Sequence, residues 1–232
     1  MKESPLVTDA DVDTALRAVR DYFRKSVSDS QLYEAELRKF FEGLAAESPR
    51  ALAVVAFSYI DEKLAILMRG HMNPKVSGGL DSLFNSFGPL STASARIKIA
   101  AALRWLSPLT YRHLELLRKV RNAFAHSPFL NSFDESPVRD FLEQFEPLEK
   151  ILWDIKGASL LPYESVSRRQ LYHIRATLTC ARMIEEVTCS PRAISMGLQP
   201  NALHVDGFKE VPRPFVELQR SAMYVAVNLV AK

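Results

Sequence analysis

Apolar residues recur every three or four positions along most of this chain, and alternating apolar–polar runs are scarce. The pattern predicts an almost entirely helical protein. Predicted helices run from near Asp9 to Lys25, near Ser30 to Glu47, Pro49 to Arg69, Thr92 to Leu106, Pro108 to about His126, Pro137 to about Ile155, Glu164 to Cys189, and Phe215 to Ala231. The first is capped by Thr8, with Asp11 three residues on. Between them lie a Gly/Pro/Asn-containing loop from His71 to Gly79, a short turn over Asp81–Phe87, a stop at Gly88-Pro89, a linker from Gly157 to Pro162, and an irregular stretch from Asn201 to Pro214. Four times a serine precedes a proline, at Ser48-Pro49, Ser107-Pro108, Ser136-Pro137 and Ser190-Pro191. Such a pair marks a helix start, because the serine oxygen accepts an orphan N–H and proline has none to lose. The first three precede strong helical runs; the fourth is expected to start at most a short one. Pro147 is a kink or a break.

The helix from Pro49 to Arg69 is apolar nearly all round over Ala51–Ile60, which predicts a central place in the domain. Glu47, Arg50, Val54, Phe57, Ser58 and Asp61 nevertheless line up at helical spacing. Charges on a buried helix need partners, and Arg96, Lys98 and Arg121 are candidates on the neighbouring helices. Two readings stay open: a structural ion-pair network that fixes helix register, or a second shell of Glu47, Arg50 and Asp61 around a site at Arg121 and His126.

That site is suggested by Arg121-Asn122-Ala123-Phe124-Ala125-His126, a guanidinium, a carboxamide and an imidazole at the end of one helix. Such groups bind phosphate, hydrogen-bond a ligand and move protons near neutral pH. Leu116, Val120, Ala123 and Phe124 form the core stripe of this helix; Leu114, Arg118, Arg121 and Ala125 form a second stripe that suits a second copy of the chain or a phosphate-bearing ligand. At roughly 100° per residue, Arg121 and His126 are separated by about 140° around an ideal helix. They converge only if the helix end unwinds, if Arg121 reaches round, or if two subunits contribute. His126 also suits a plain structural role, capping carbonyls at a helix C-terminus.

Composition narrows the alternatives. With 232 residues, 47% hydrophobic and 25% charged, the chain is long enough for a real core in one domain or a domain plus an appendage. A net charge of +3 permits nucleic acid as a partner without arguing for it. Cys180 and Cys189 form no CxxC pair and read as packing residues, and the five histidines lack metal-ligand spacing, so no metal or cofactor is expected. Walker-type, HExxH, GxSxG and Rossmann motifs are absent from the sequence. The acidic segment after Met1-Lys2-Glu3-Ser4-Pro5 does not read as a signal peptide, and Ala51–Ile60 is far shorter than the roughly 20 residues a bilayer needs. A cytoplasmic protein without membrane contact is the expectation.

Three ordered blocks carry a family resemblance. Glu47-Ser48-Pro49-Arg50-Ala51-Leu52-Ala53-Val54-Val55-Ala56 with Tyr59-Ile60-Asp61 resembles the opening block of the mannitol operon repressor family. Leu83-Phe84, then Gly88-Pro89-Leu90-Ser91-Thr92-Ala93-Ser94-Ala95-Arg96-Ile97-Lys98, resembles its middle block. Leu116 to Ser127, then Ser132-Phe133-Asp134, resembles its closing block. The resemblance covers about Phe41 to Phe145 and does not extend to Gly157–Lys232. It implies an all-helical, cytoplasmic bacterial protein that regulates expression. No helix-turn-helix pair with a basic recognition helix accompanies it. Arg168, Arg169, Arg175 and Arg182 could form a phosphate-facing stripe, but Leu171, Tyr172, Ile174 and Leu178 favour an amphipathic packing helix.

The closing block also resembles the Arg-x(4–6)-His motif of HEPN domains, small helical proteins that often dimerise. In their ribonuclease branch this implies His126 as general acid or base at a ribose 2′-hydroxyl, Arg121 as the stabiliser of the phosphoryl transition state, and Asn122 as an orienting group. Other branches are adaptors or nucleotide binders.

The resulting expectation is an all-α, HEPN-like helical bundle. Residues 1–156 form a mannitol-repressor-like domain, and residues 157–232 form a helical C-terminal extension that packs on it or mediates oligomerisation. The leading function is a non-enzymatic transcriptional regulator acting through protein–protein contacts, with a homodimer and a regulatory protein as partners. The alternatives are a metal-independent, toxin-like ribonuclease using Arg121, Asn122 and His126, and a direct DNA-binding repressor. Glu47, Arg50, Asp61, Arg96, Lys98 and Arg118 are the residues expected to bind a ligand or to support the groups that do.

Overall fold

A computed structural model of the protein describes residues 33–150, 160–195 and 213–231. Their regular secondary structure is helical apart from one isolated bridge between Leu160 and Ala231. Helix α1 covers residues 33–43. Then follow α2 (Pro49–His71), α3 (Asp81–Phe84), α4 (Ala93–Ala102), α5 (Pro108–His126), α6 (Val138–Leu142), a 3-10 turn (Tyr163–Ser165), α7 (Arg168–Ser195) and α8 (Arg213–Val230). The helix expected near Asp9–Lys25 and the irregular stretch near Asn201 lie outside the described residues.

Two of the serine–proline pairs act as read from the sequence. Ser48 Oγ accepts from the Ala51 N–H, and Ser107 Oγ from the Thr110 N–H, both at 3.2 Å. The other two do not. Ser136 Oγ donates to Asp140 instead, and the N-cap of α6 is Pro137. Pro191 sits inside α7, which runs through the expected start site.

Two helices are shorter than their patterns imply. The helix expected over Pro137–Ile155 is interrupted after Leu142, and residues 143–149 are turns, a bend and coil around Pro147. The helix expected to reach Leu106 stops at Ala102. There Arg104 takes a left-handed φ of 60°, while the N–H groups of Arg104 and Trp105 bond back to Ala101 and Ala100. This C-cap satisfies the last carbonyls and turns Trp105 and Leu106 into the core. Burial of those two side chains offsets the cost of an arginine in that region, roughly 1 kcal/mol.

Helix α2 is central, as its apolar run predicts, and packs against α4, α5 and α7. Leu52, Ala53, Ala56, Ile60, Leu64 and Met68 are buried, although Val55 and Ile66 remain on the outer face. Much of α7 packs into the same core: Tyr172, Ala176, Cys180, Met183, Ile184 and Val187 join α2 and α5 in one cluster. Phe133 links these elements, its ring 5.0 Å from Phe124 and 4.8 Å from Tyr172. Helix α8 packs along α7.

Buried ion pairs fasten α7 to what precedes it. Arg175 reaches Glu149 with Nη2 at 2.7 Å and Nε at 3.0 Å, and its Nη1 donates to Leu142 O. Tyr163 donates to the same carboxylate, and burial together with that bond pushes its phenol up to about 12. Near the other end, Glu186 accepts from Ser107 N–H at 2.7 Å, Ser107 Oγ at 2.8 Å, Thr110 Oγ1 at 2.7 Å and Arg182 Nε at 3.1 Å. A fully buried carboxylate thus sits at the positive N-terminus of α5 and fixes its start against α7.

Candidate functional site

Three elements enclose a cavity of about 310 Å³. Helix α5 contributes Arg118, Arg121 and Asn122, which at spacings of three and four share one face. Helix α2 contributes Phe57, Ser58 and Asp61, again one helical face. The third wall is the segment Ser91–Ser94 at the start of α4, with Arg96 one turn further on. Gly88 shapes the loop into that wall. A Cβ there would lie 2.3 Å from Leu83 O, the carbonyl that accepts the Leu90 N–H, so only glycine lets the loop close this tightly.

The electrostatics of the lining are one-sided. Both oxygens of Asp61 are taken by Arg96, Nε at 2.9 Å and Nη2 at 2.5 Å, and Arg96 Nη1 also holds Leu90 O at 2.6 Å. Arg118 lies against Glu115 one turn back, which raises its pKa through that hydrogen bond. Arg121 has no carboxylate partner among the described residues. Its Nη1 donates to Asn122 Oδ1 at 3.1 Å, and its Nε is shut off from solvent without a hydrogen bond. A guanidinium has only donors, so Asn122 must turn its oxygen to Arg121 and leave its NH2 outward. At the opposite wall Thr92 caps α4, its Oγ1 taking the Ala95 N–H and its carbonyl the Arg96 N–H. The N–H groups of Ala93 and Ser94 are left for an acceptor from outside the helix.

No family model, curated protein or solved structure matches this chain. The chemistry of the site therefore rests on its own residues. Among the described residues no group of three His, Cys, Asp or Glu side chains is placed to hold a metal ion, and no helix is long and apolar enough to cross a membrane.

The residues singled out from sequence divide into two sets. Arg121, Asn122, Arg118, Asp61 and Arg96 meet at the cavity. His126, Glu47, Arg50 and Lys98 do not line it. His126 is exposed at the last position of α5, one turn beyond Asn122. Glu47 and Lys98 are exposed, and Glu47 meets α7 through its carbonyl, which accepts from Arg169 at 2.6 Å. Arg50 is consumed at the C-terminus of α5. It donates to the carbonyls of Phe124, Ser127 at 2.8 Å, Pro128 at 2.9 Å and Leu130 at 3.1 Å. That is a cation on the negative end of a helix dipole, supplied by another helix. Arg50→Ala is expected to cost about 2 kcal/mol, the worth of charge-assisted hydrogen bonds at such a place. Faster amide hydrogen exchange over residues 126–130 than in wild type is the check.

The four arginines read as a stripe on α7 are not free. Arg168 pairs with Asp134, Arg169 holds the Ala45 and Glu47 carbonyls, Arg175 pairs with Glu149 and Arg182 with Glu186. Leu114, read as part of a surface stripe on α5, is fully buried. Sequence reasoning missed Ser91 and Ser94 as site residues. The N-cap signal at Thr92 marks where such groups gather, but nothing in the sequence faces them toward Arg121.

Proposed function

We propose that this protein is a non-enzymatic regulator of the mannitol-repressor type that acts mainly through contacts with other proteins. The observation that carries the reading is the division of the Arg–Asn–His cluster. Arg121 and Asn122 line the cavity, whereas His126, the only imidazole of the three, stands outside it. General acid–base catalysis needs the imidazole within hydrogen-bond reach of the reacting hydroxyl while the arginine holds the phosphate. A single copy of this chain does not offer that. The engagement of Arg168, Arg169, Arg175 and Arg182 by their own chain also speaks against a phosphate-reading recognition helix.

A second reading keeps one supporting observation. His126 is exposed at a helix end, where the cavity residues of a second copy could meet it, as in a two-subunit ribonuclease. Wild-type protein and His126→Ala, incubated with mixed-sequence RNA in chelator, separate the two. The regulatory reading expects no cyclic-phosphate ends from either protein. Cleavage by wild type and not by the variant would replace it with the metal-independent ribonuclease.

A further inference from the structure

We propose that the cavity between α2, α4 and α5 is a binding site for a phosphomonoester, with the phosphoryl group held between Arg121 and the start of α4. The lining is rich in unused donors and lacks a free acceptor of negative charge. Its single carboxylate, Asp61, has both oxygens taken by Arg96. Among the described residues, no hydrogen bond from within the chain engages the hydroxyls of Ser91 or Ser94, the N–H groups of Ala93 and Ser94, or the NH2 of Asn122. Arg96 is spent on Asp61 and Arg118 on Glu115, which leaves Arg121 as the arginine of the lining with no carboxylate partner among the described residues.

Arg121 points to what completes the site. The residue is half-buried, carries no ion pair among the described residues, and has a buried Nε with no hydrogen bond. A partly buried charge in a native protein is normally paired, and an anion in the cavity would pair the Arg121 guanidinium. The donors come from two sides: a guanidinium and a carboxamide from α5, backbone N–H groups and hydroxyls from the α4 wall. A planar carboxylate presents two oxygens to one side. A tetrahedral phosphoryl group presents three, and suits donors converging from opposite walls. Phe57 and Ala93 add apolar surface for the organic part of the ester, and the volume is at the lower end of small-molecule pockets.

Calorimetric titration of the full chain with glycerol 3-phosphate and with inorganic phosphate tests the site, with glycerol as control. Glycerol 3-phosphate is expected to bind and glycerol not to bind. Equal affinity for inorganic phosphate would mean that the phosphoryl group alone is read; tighter binding of the ester would mean that the apolar wall contributes. Arg121→Gln is expected to weaken binding at least about tenfold, the value of one charge-assisted contact. Ser94→Asp is expected to do the same by placing a carboxylate at the α4 wall. That variant guards against a trivial loss of fold, because an acidic residue in the first turn favours the helix. His126→Ala is expected to bind as wild type. Absence of binding by both phosphates, undiminished binding by Ser94→Asp, or loss of binding in His126→Ala would each overturn the proposal. The inference stands on the cavity alone: RNA cleavage would remove the regulatory reading without deciding this one.

Discussion

Glu186→Ala is expected to lower the free energy of unfolding by about 3–5 kcal/mol, the range for removing one partner from a buried charged network. The carboxylate is fully buried and is the common acceptor for a backbone N–H, two hydroxyls and a guanidinium. Alanine leaves the Ser107 N–H and the Thr110 hydroxyl without that acceptor at the N-terminus of α5. It also leaves Arg182 without its ion-pair partner. The cost arises from donors that water reaches poorly rather than from a lost attraction. Glu186→Gln keeps the volume and one acceptor oxygen, so it should cost clearly less. Denaturant titration of both variants is the measurement. An unchanged m-value with a shifted midpoint is expected. A loss below about 1 kcal/mol for alanine would mean that the network adds little beyond packing.

Mild acid is expected to destabilise the fold well before most carboxylates titrate. His113 is 3% exposed and His173 fully buried. Burial pulls both imidazoles down to about 4, helped at His113 by Arg112, Arg182 and Arg175, and at His173 by Arg169 against an opposing bond to Phe41 O. His113 Nε2 accepts the Glu146 N–H at 3.3 Å, so protonation there would break the bond. His173 Nε2 lies 2.8 Å from Phe41 O and donates to it, while Nδ1 is buried without a partner. Between pH 6.5 and 4 the unfolded chain binds protons that the folded chain refuses, so stability falls as the pH drops through that window and is fully present above it. Each histidine contributes on the order of 3 kcal/mol across the full window. The carboxyls of Asp134 and Asp140 are held low by Arg168 and by Ser136 respectively, so their contribution is lost only below pH 3.8. Thermal melts from pH 7.5 to 4.5 should show a steep decline in Tm. His113→Gln combined with His173→Gln should flatten that decline even if the double variant starts lower. A wild-type Tm that stays level to pH 5 would contradict the assignment.

The helical class, the start of α2 and α5 and the centrality of α2 were legible because they rest on local rules. Ser48 and Ser107 each need only the next three residues to act as caps. The apolar run through Ile60 demands burial whatever surrounds it. Where the local signal was ambiguous, packing chose. Ser190-Pro191 carries the same cap signature as Ser48-Pro49, yet α7 continues through it. The pattern after Ala102 is still helical, yet the chain turns at Arg104 to bury Trp105.

The candidate site divides in the same way. Arg118, Arg121 and Asn122 share a face by spacing alone, and the charge at Asp61 had to find a partner on a neighbouring helix. Which cation each acid would meet depends on how helices cross, so Arg50, one turn from Val54 on the expected polar stripe, is spent on the carbonyls closing α5. Arg168, Arg169, Arg175 and Arg182 are similarly engaged, Arg169 with a carbonyl 124 positions away. Sequence by itself determined the elements, the faces they present and the need to pair buried charge, because these follow from backbone periodicity and solvation. Tertiary structure alone decided which charges cancel and which stay open. Ion pairing depends on distances of a few ångströms between residues far apart in the chain, and those distances exist only once α2, α4, α5 and α7 have packed.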